Sequence, residues 1–156
     1  MFDDLLDLYN ATIVERGRRP KHMHRLESFD ASARGDNPMC GDRVQVWVKY
    51  APDGSIAATG FDARGCEISK ASADLMVEAV AQRSPGEARR LFAAFSEMAR
   101  TGVCADCEAC ADIETALEPL KPLASVHEYP SRVKCATLAW HALIAALNNE
   151  GQATSE

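Results

Sequence analysis

One alternating segment constrains the fold more than any other part of this chain. Apolar residues stand at every second position from Val44 to Val48, and a period of two is typical of a β-strand. The segment Pro52-Asp53-Gly54 that follows is a turn signal, and residues 55–61 are predicted to return as a second strand. The sequence therefore predicts an antiparallel hairpin, and the open end of a hairpin brings its two flanking segments together.

Helical patterns surround this hairpin. Apolar residues recur with helical spacing, and a further strand signal is weaker, near residues 26–33. Separate runs of strands and helices indicate an α+β fold, here a small three-stranded antiparallel sheet with helices packed on one face. The length of 156 residues fits one domain, over residues 1–148, with a mixed segment at about 100–131 and a flexible tail at 149–156. The predicted helices cover residues 2–16, 69–82, 84–102, 112–117 and 133–147.

Six cysteines are many for a chain that begins Met1-Phe2-Asp3-Asp4 and shows no basic signal peptide. Cytoplasm is therefore the expected location. Thiols in a reducing compartment rarely form structural disulfides. Metal binding or sulfur chemistry is the favoured use of these cysteines.

Net charge and hydropathy argue against two classes of partner, nucleic acid and membrane. A net charge of -6 argues against nucleic acid, because binding to phosphates depends on basic side chains. No stretch approaches the roughly 18 apolar residues of a membrane span, so no membrane is expected. The short basic run Arg16-Gly17-Arg18-Arg19 is interpreted as a solvated helix end, with docking of an acidic protein as the alternative.

Three cysteines stand at boundaries between elements. Cys40 precedes the first hairpin strand, Cys66 follows the second, and Cys135 lies in the first turn of the last helix. Asp42 adds a carboxylate, and zinc accepts thiolate and carboxylate ligands in one tetrahedral shell. Gly41 and Gly65 permit close backbone approach beside them. A zinc site on Cys40, Asp42, Cys66 and Cys135 is the resulting prediction.

The motifs around these ligands resemble those of the U-type iron–sulfur assembly family, in the right order along residues 4–147. They are Asn37-Pro38-x-Cys40-Gly41-Asp42, Gly65-Cys66-x-Ile68-Ser69-x-Ala71-Ser72 and Arg132-Val133-Lys134-Cys135-Ala136-x-Leu138-x-Trp140.

Within this family the chain is most similar to the Suf-type U proteins. Lys134 stands where the Isc-type scaffolds have a histidine, and the interval before Cys135 is long, as in the Suf-type branch with its insertion. The chaperone-recognition motif Leu-Pro-Pro-Val-Lys of the Isc-type scaffolds is absent.

The resemblance implies a fold like that of the SufE and NifU proteins and a role in iron–sulfur cluster assembly. It implies that zinc is bound and that Cys40 accepts persulfide sulfur from a Suf-type cysteine desulfurase, a pyridoxal-phosphate enzyme. Asp42, Cys66 and Cys135 would then retain the metal. A downstream Suf scaffold complex is a further expected partner.

Two alternatives remain open at this point. The same ligands would suit a scaffold that assembles and transfers a [2Fe–2S] cluster, or a zinc-stabilised interaction domain. The chain is at most a zinc-dependent sulfurtransferase acting with the desulfurase. Lys134 and Arg132 are candidates for supporting the thiolates.

The remaining cysteines form a second candidate metal site, Cys104-x-x-Cys107-x-x-Cys110, with Asp106 or Glu108 as a fourth ligand. An exposed loop with spare thiols is the favoured alternative. The four histidines are expected to be structural or solvated, and the two tryptophans to be packing residues. These histidines are His22, His24, His127 and His141.

Overall fold

The computed structural model describes residues 10–38, 41–102 and 111–154. Cys40, Cys104, Cys107 and Cys110 lie outside the described residues, as does most of the predicted first helix. The helices are α1 (Ala11–Arg18), α2 (Glu67–Val80), α3 (Pro85–Thr101), α4 (Ala111–Leu117) and α5 (Pro130–Leu147), with a 3-10 segment at Glu118–Glu128. The strands are β1 (Ala31–Asn37), β2 (Asp42–Tyr50), β3 (Ile56–Arg64) and β4 (Gln152–Thr154).

The strands form one sheet in the order β3-β2-β1-β4. The first three are antiparallel neighbours, with Asn37 opposite Asp42 and Arg43 opposite Arg64. This confirms the predicted hairpin and the three-stranded antiparallel sheet. The short β4 adds a parallel edge to β1, where the sequence predicts only a tail.

The helices cover one face of the sheet, as predicted. The inward valines of β2, from Val44 to Val48, are buried and lie against α5, which also packs on β1 and α2. Trp140 of α5 is fully buried, and its ring centroid lies 4.9 Å from that of Phe95 on α3. On the other face, Arg25 lies 5.7 Å above the ring of Trp47. Both tryptophans are therefore packing residues, as expected.

Helix ends follow local chemistry. Ser84 begins α3 with a capping box in which its hydroxyl accepts from the Glu87 amide, and Pro85 occupies the first turn as predicted. Helix α5 begins earlier than predicted, at Pro130, because proline is compatible with the first helical position. No helix in the described parts of the chain is long and apolar enough to span a bilayer.

The first helix is held by charge as well as by packing. The Arg16 guanidinium pairs with Asp74 at 2.7 Å and with Glu78, both on α2. Asp74 is fully buried and also accepts from the backbone N–H of His22 at 2.7 Å. For Arg16, the interpretation as part of a solvated helix end is therefore wrong.

Candidate metal centre

The carboxylate of the site comes from the first residue of β2. Asp42 points to the inner face with the valines of that strand and is 3% exposed. The preceding Gly41 has a φ of +74° and donates its N–H to Asn37 O at 2.8 Å. Because L-residues rarely adopt this φ, glycine at position 41 favours the backbone path that leads into Asp42.

Cys66 is the N-cap residue of α2, and its thiol sulfur caps the helix. Its Sγ accepts from the backbone N–H of Ser69 at 3.4 Å, and its own N–H donates to Asp42 Oδ1 at 3.3 Å. Gly65 has a φ of +143°, and a Cβ at this position would collide with the Asp42 carboxylate. Glycine is thus required for the close approach of the β3–α2 turn to Asp42.

Cys135 reaches the same point from α5 and is 1% exposed. The Ser72 hydroxyl donates to Ala136 O, the residue after this cysteine, and accepts from Trp140 Nε1 at 3.2 Å. These bonds join α2 to α5 nearly two turns after Cys66 and fix the relative position of the two thiols. In the sequence, Ser69 and Ser72 stand out only as members of a motif, because the bonding of Ser72 depends on how the two helices pack.

The three side chains bring their donor atoms together. One carboxylate oxygen of Asp42 and the sulfurs of Cys66 and Cys135 all lie within 4.8 Å of one another. Cys66 Sγ is 3.6 Å from Asp42 Oδ2. Neighbouring ligands of a tetrahedral zinc are separated by about 3.5–3.8 Å, given the usual zinc–sulfur and zinc–oxygen bond lengths. The donor set and this spacing fit a zinc ion.

A hydrogen bond between the two thiols shifts their pKa values in opposite directions. The Cys135 thiol donates to Cys66, which is the main reason that the pKa of Cys66 falls to about 7, and the Ser69 amide and the Arg132 charge lower it further. The same hydrogen bond, together with burial, raises the pKa of Cys135 far above its ordinary value. Without a metal, the Cys66 thiol is therefore the more acidic of the two, and a cation bound between the sulfurs would favour the loss of both protons.

The other predicted residues are placed as follows. Arg132 acts on the Cys66 thiolate through its charge, and Lys134 lines a separate cavity between α3 and α5. His22 contacts Glu78 at 3.0 Å, and His127 Nδ1 contacts Ala124 O at 2.8 Å. His141 is half-buried with Phe92 packed against its ring. None of these three histidines belongs to the metal centre.

A buried thiol–carboxylate cluster at the open end of a three-stranded antiparallel sheet, with helices on one face, defines a small α+β domain with a candidate metal site. The chain belongs to the NifU-like N-terminal domain family, whose model matches residues 8–136. This confirms the resemblance to U-type iron–sulfur assembly proteins drawn from the motifs.

Named relatives include both branches of these proteins. The chain is 37% identical to the iron–sulfur cluster assembly scaffold protein IscU of Streptococcus pyogenes, over 94% of this chain and 86% of that protein. It is 33% identical to the zinc-dependent sulfurtransferase SufU of Bacillus subtilis, over 87% and 86%. A crystal structure from Fervidobacterium islandicum, of a candidate assembly scaffold for the SUF system, superposes with a TM-score of 0.79 at 28% identity, over 91% of this chain and 98% of that one.

Proposed function

We propose that this chain works in iron–sulfur cluster assembly as a zinc-binding acceptor of sulfur from a cysteine desulfurase of the Suf type. The observation that carries the proposal is the buried donor set of Asp42, Cys66 and Cys135, all within 4.8 Å. The zinc-dependent sulfurtransferase of B. subtilis, similar over most of both chains, supports the same reaction class. Thiols used in this way must stay reduced, which favours the cytoplasm.

Zinc would be held by Asp42, Cys66 and Cys135, with Cys40 as the fourth ligand. When bound, zinc keeps thiolates deprotonated at neutral pH while limiting their reactivity. The protein contributes the geometry. The N–H of Cys66 orients the Asp42 carboxylate, the Ser69 N–H stabilises the Cys66 thiolate, and burial keeps water away from Cys135.

The carboxylate favours transfer over a purely structural role. Structural zinc sites are usually closed shells of four cysteine or histidine ligands. A carboxylate is a harder ligand than a thiolate, and we expect it to exchange more readily. A zinc-stabilised interaction domain without transfer chemistry is therefore the less favoured alternative.

Cys40 is the proposed sulfur acceptor. It stands two positions before Asp42 in the chain, so its Cα can lie no more than roughly 7 Å from that of Asp42. Its thiolate would attack the terminal sulfur of the donor's persulfide. A new S–S bond forms at Cys40, the donor's S–S bond breaks, and the donor cysteine leaves as a thiolate with the electron pair.

The test is sulfur acceptance by Cys40→Ala, with Cys107→Ala as a matched cysteine control. Both proteins are mixed with a Suf-type desulfurase and cysteine, and persulfide on each is measured by mass spectrometry. We expect the Cys40 variant to accept no sulfur and the control to accept as much as the wild type. Full acceptance by the Cys40 variant would refute the assignment.

A scaffold for a [2Fe–2S] cluster is the second candidate function. The same thiols and carboxylate could hold a cluster as cargo, and the S. pyogenes relative is described as a scaffold. Metal and acid-labile sulfide in protein purified without oxygen separate the two functions. About one zinc per chain without sulfide favours sulfur acceptance, followed by delivery to a downstream Suf scaffold complex, whereas iron with matching sulfide favours the scaffold.

A further inference from the structure

Ser69 carries a hydroxyl that the fold buries without a partner. The residue is fully buried, and its Oγ makes no hydrogen bond within the described part of the chain. A buried hydroxyl without a hydrogen bond is unfavourable, because it has lost its contacts with water and gained none in return. Thr59 Oγ1 in β3 is in the same state, which provides a comparison within the same molecule.

The place of Ser69 in the chain relates its hydroxyl to the metal centre. Ser69 lies in the first turn of α2, and its N–H donates to the Cys66 sulfur at 3.4 Å. Since a serine Oγ is less than about 4 Å from its own backbone nitrogen, Ser69 Oγ lies within roughly 7 Å of that sulfur. A rotation about the Cα–Cβ bond changes this distance without moving the backbone.

Ser69 also lies on the side of α2 that faces α5. Residues three apart are neighbours on a helix surface, and Ser72 contacts α5 directly. Its hydroxyl donates to Ala136 O and accepts from Trp140 Nε1 at 3.2 Å. Cys135 precedes Ala136 in the chain. The Ser69 side chain is therefore at the end of the α2–α5 contact where the two cysteines meet.

Thr59 has no such relation to the metal centre. It is opposite Val48 in the middle of the β2–β3 hairpin, and the site lies beyond the last residue of β3, Arg64. At the usual rise per residue of a strand, Thr59 and Arg64 are roughly 16 Å apart. Of these two unpartnered hydroxyls, one is beside the metal centre and the other is remote from it.

We propose that Ser69 is a positioning residue whose hydroxyl donates to the Cys66 thiolate when the centre holds its metal. A metal-bound thiolate keeps lone pairs that accept hydrogen bonds, and such bonds around the ligands tune metal affinity. The Cys66 sulfur then accepts from both the N–H and the O–H of Ser69. The inference rests on the zinc site of the proposed function, with Asp42, Cys66 and Cys135 as ligands.

Removal of the Ser69 hydroxyl should change stability and zinc affinity in opposite directions. Ser69→Ala should raise the Tm of the metal-free protein by about 1–4 °C, since it removes a buried polar atom without a partner. The same change should weaken zinc binding about tenfold, because the loaded centre loses a hydrogen bond. A serine with a purely structural role would not combine a more stable metal-free protein with a lower zinc affinity.

Thr59→Val is the matched control, because it removes the other unpartnered hydroxyl and keeps a similar shape. It should also raise the Tm of the metal-free protein, and it should leave zinc affinity unchanged. Thermal melts and competition with a chromophoric zinc chelator measure the two quantities. With cobalt in place of zinc, the sulfur-to-cobalt charge-transfer band should move to lower energy in Ser69→Ala alone, because a hydrogen bond lowers the energy of sulfur lone pairs.

The outcomes separate this inference from the zinc site on which it rests. If Ser69→Ala binds zinc as tightly as the wild type, the inference is overturned and the zinc site is unaffected. A lower Tm of metal-free Ser69→Ala would show that the hydroxyl already has a partner without metal, and it would also overturn the inference. If the wild type itself binds no zinc, the zinc site of the proposed function is refuted together with the inference.

Discussion

Two buried carboxylates of this protein have opposite surroundings. Asp74 is fully buried and meets the Arg16 guanidinium at 2.7 Å and the His22 N–H at 2.7 Å. Asp42 is 3% exposed, accepts from the Cys66 N–H and lies 3.6 Å from the Cys66 sulfur. A buried charge is costly unless it is compensated. The chain itself supplies the compensating charge at Asp74.

At Asp42 the fold instead gathers further anionic donors. A carboxylate and two ionisable thiols within 4.8 Å repel one another once they lose their protons. After its hydrogen bond to Cys66 and its burial, the negative charges of Cys66 and Asp42 raise the pKa of Cys135 further. Such a cluster is poised to bind a cation. The comparison suggests that Asp74 serves the stability of the fold, whereas Asp42 serves ligand binding.

The largest expected effect is the loss of stability in Asp74→Asn. The neutral amide leaves the largely buried Arg16 guanidinium with only the partly exposed Glu78 as a charged partner, and breaking a buried ion pair typically costs about 3–5 kcal/mol. Chemical denaturation of the metal-free protein measures this loss. Asp42→Asn, the matched change at the other carboxylate, should cost about 1 kcal/mol or less in the same experiment. If the two variants lost the same free energy of unfolding, Asp74 and Asp42 would not differ in their contribution to stability.

The second prediction compares the same two variants by their zinc affinity instead of their stability. Asp42→Asn should weaken zinc binding about 100-fold, because an amide is a neutral and poor substitute for a carboxylate ligand. Asp74→Asn should leave zinc affinity unchanged within about threefold, at a temperature where it stays folded. Competition with a chromophoric zinc chelator measures both. An Asp42 variant with wild-type affinity would show that this carboxylate is not a ligand.

The sequence was informative where function is set by local chemistry. Cys66 and Cys135 stand at element boundaries, and the alternation of β2 predicts that its flanking turns converge. Helix and strand signals with clear periods were also found. These features depend on residues that are close in the sequence, so the sequence pattern alone is enough to predict them.

Features that depend on distant packing were not predicted. Strand β1 buries small residues such as Ala33 and Gly35 rather than large apolar ones, so its period is weak, and the three residues of β4 have no detectable pattern. Nothing near Arg16 in the sequence indicates Asp74. The cavity between α3 and α5 likewise depends on how these two helices pack together.

The smallest expected effect concerns Glu78, the more exposed of the two carboxylates that pair with Arg16 in the Arg16–Asp74–Glu78 cluster. Hydrogen bonding to Arg16 lowers the pKa of Glu78 below its ordinary value of 4.5. Its stabilising contribution is therefore fully present above pH 4.5 and is lost as the pH falls through the lowered pKa. Because Glu78 is partly exposed, Glu78→Gln should lower Tm by only about 1–3 °C at pH 7.

That difference from the wild type should shrink as the pH is lowered from 4.5 to 3. Glu97→Gln on α3 is the control, because Glu97 has no ion pair among the described residues, and it should leave Tm unchanged throughout. Thermal melts followed by circular dichroism across this range measure both variants. A Glu78 effect that is constant with pH would mean that its charge does not stabilise the cluster, leaving Asp74 as the only carboxylate that matters to Arg16.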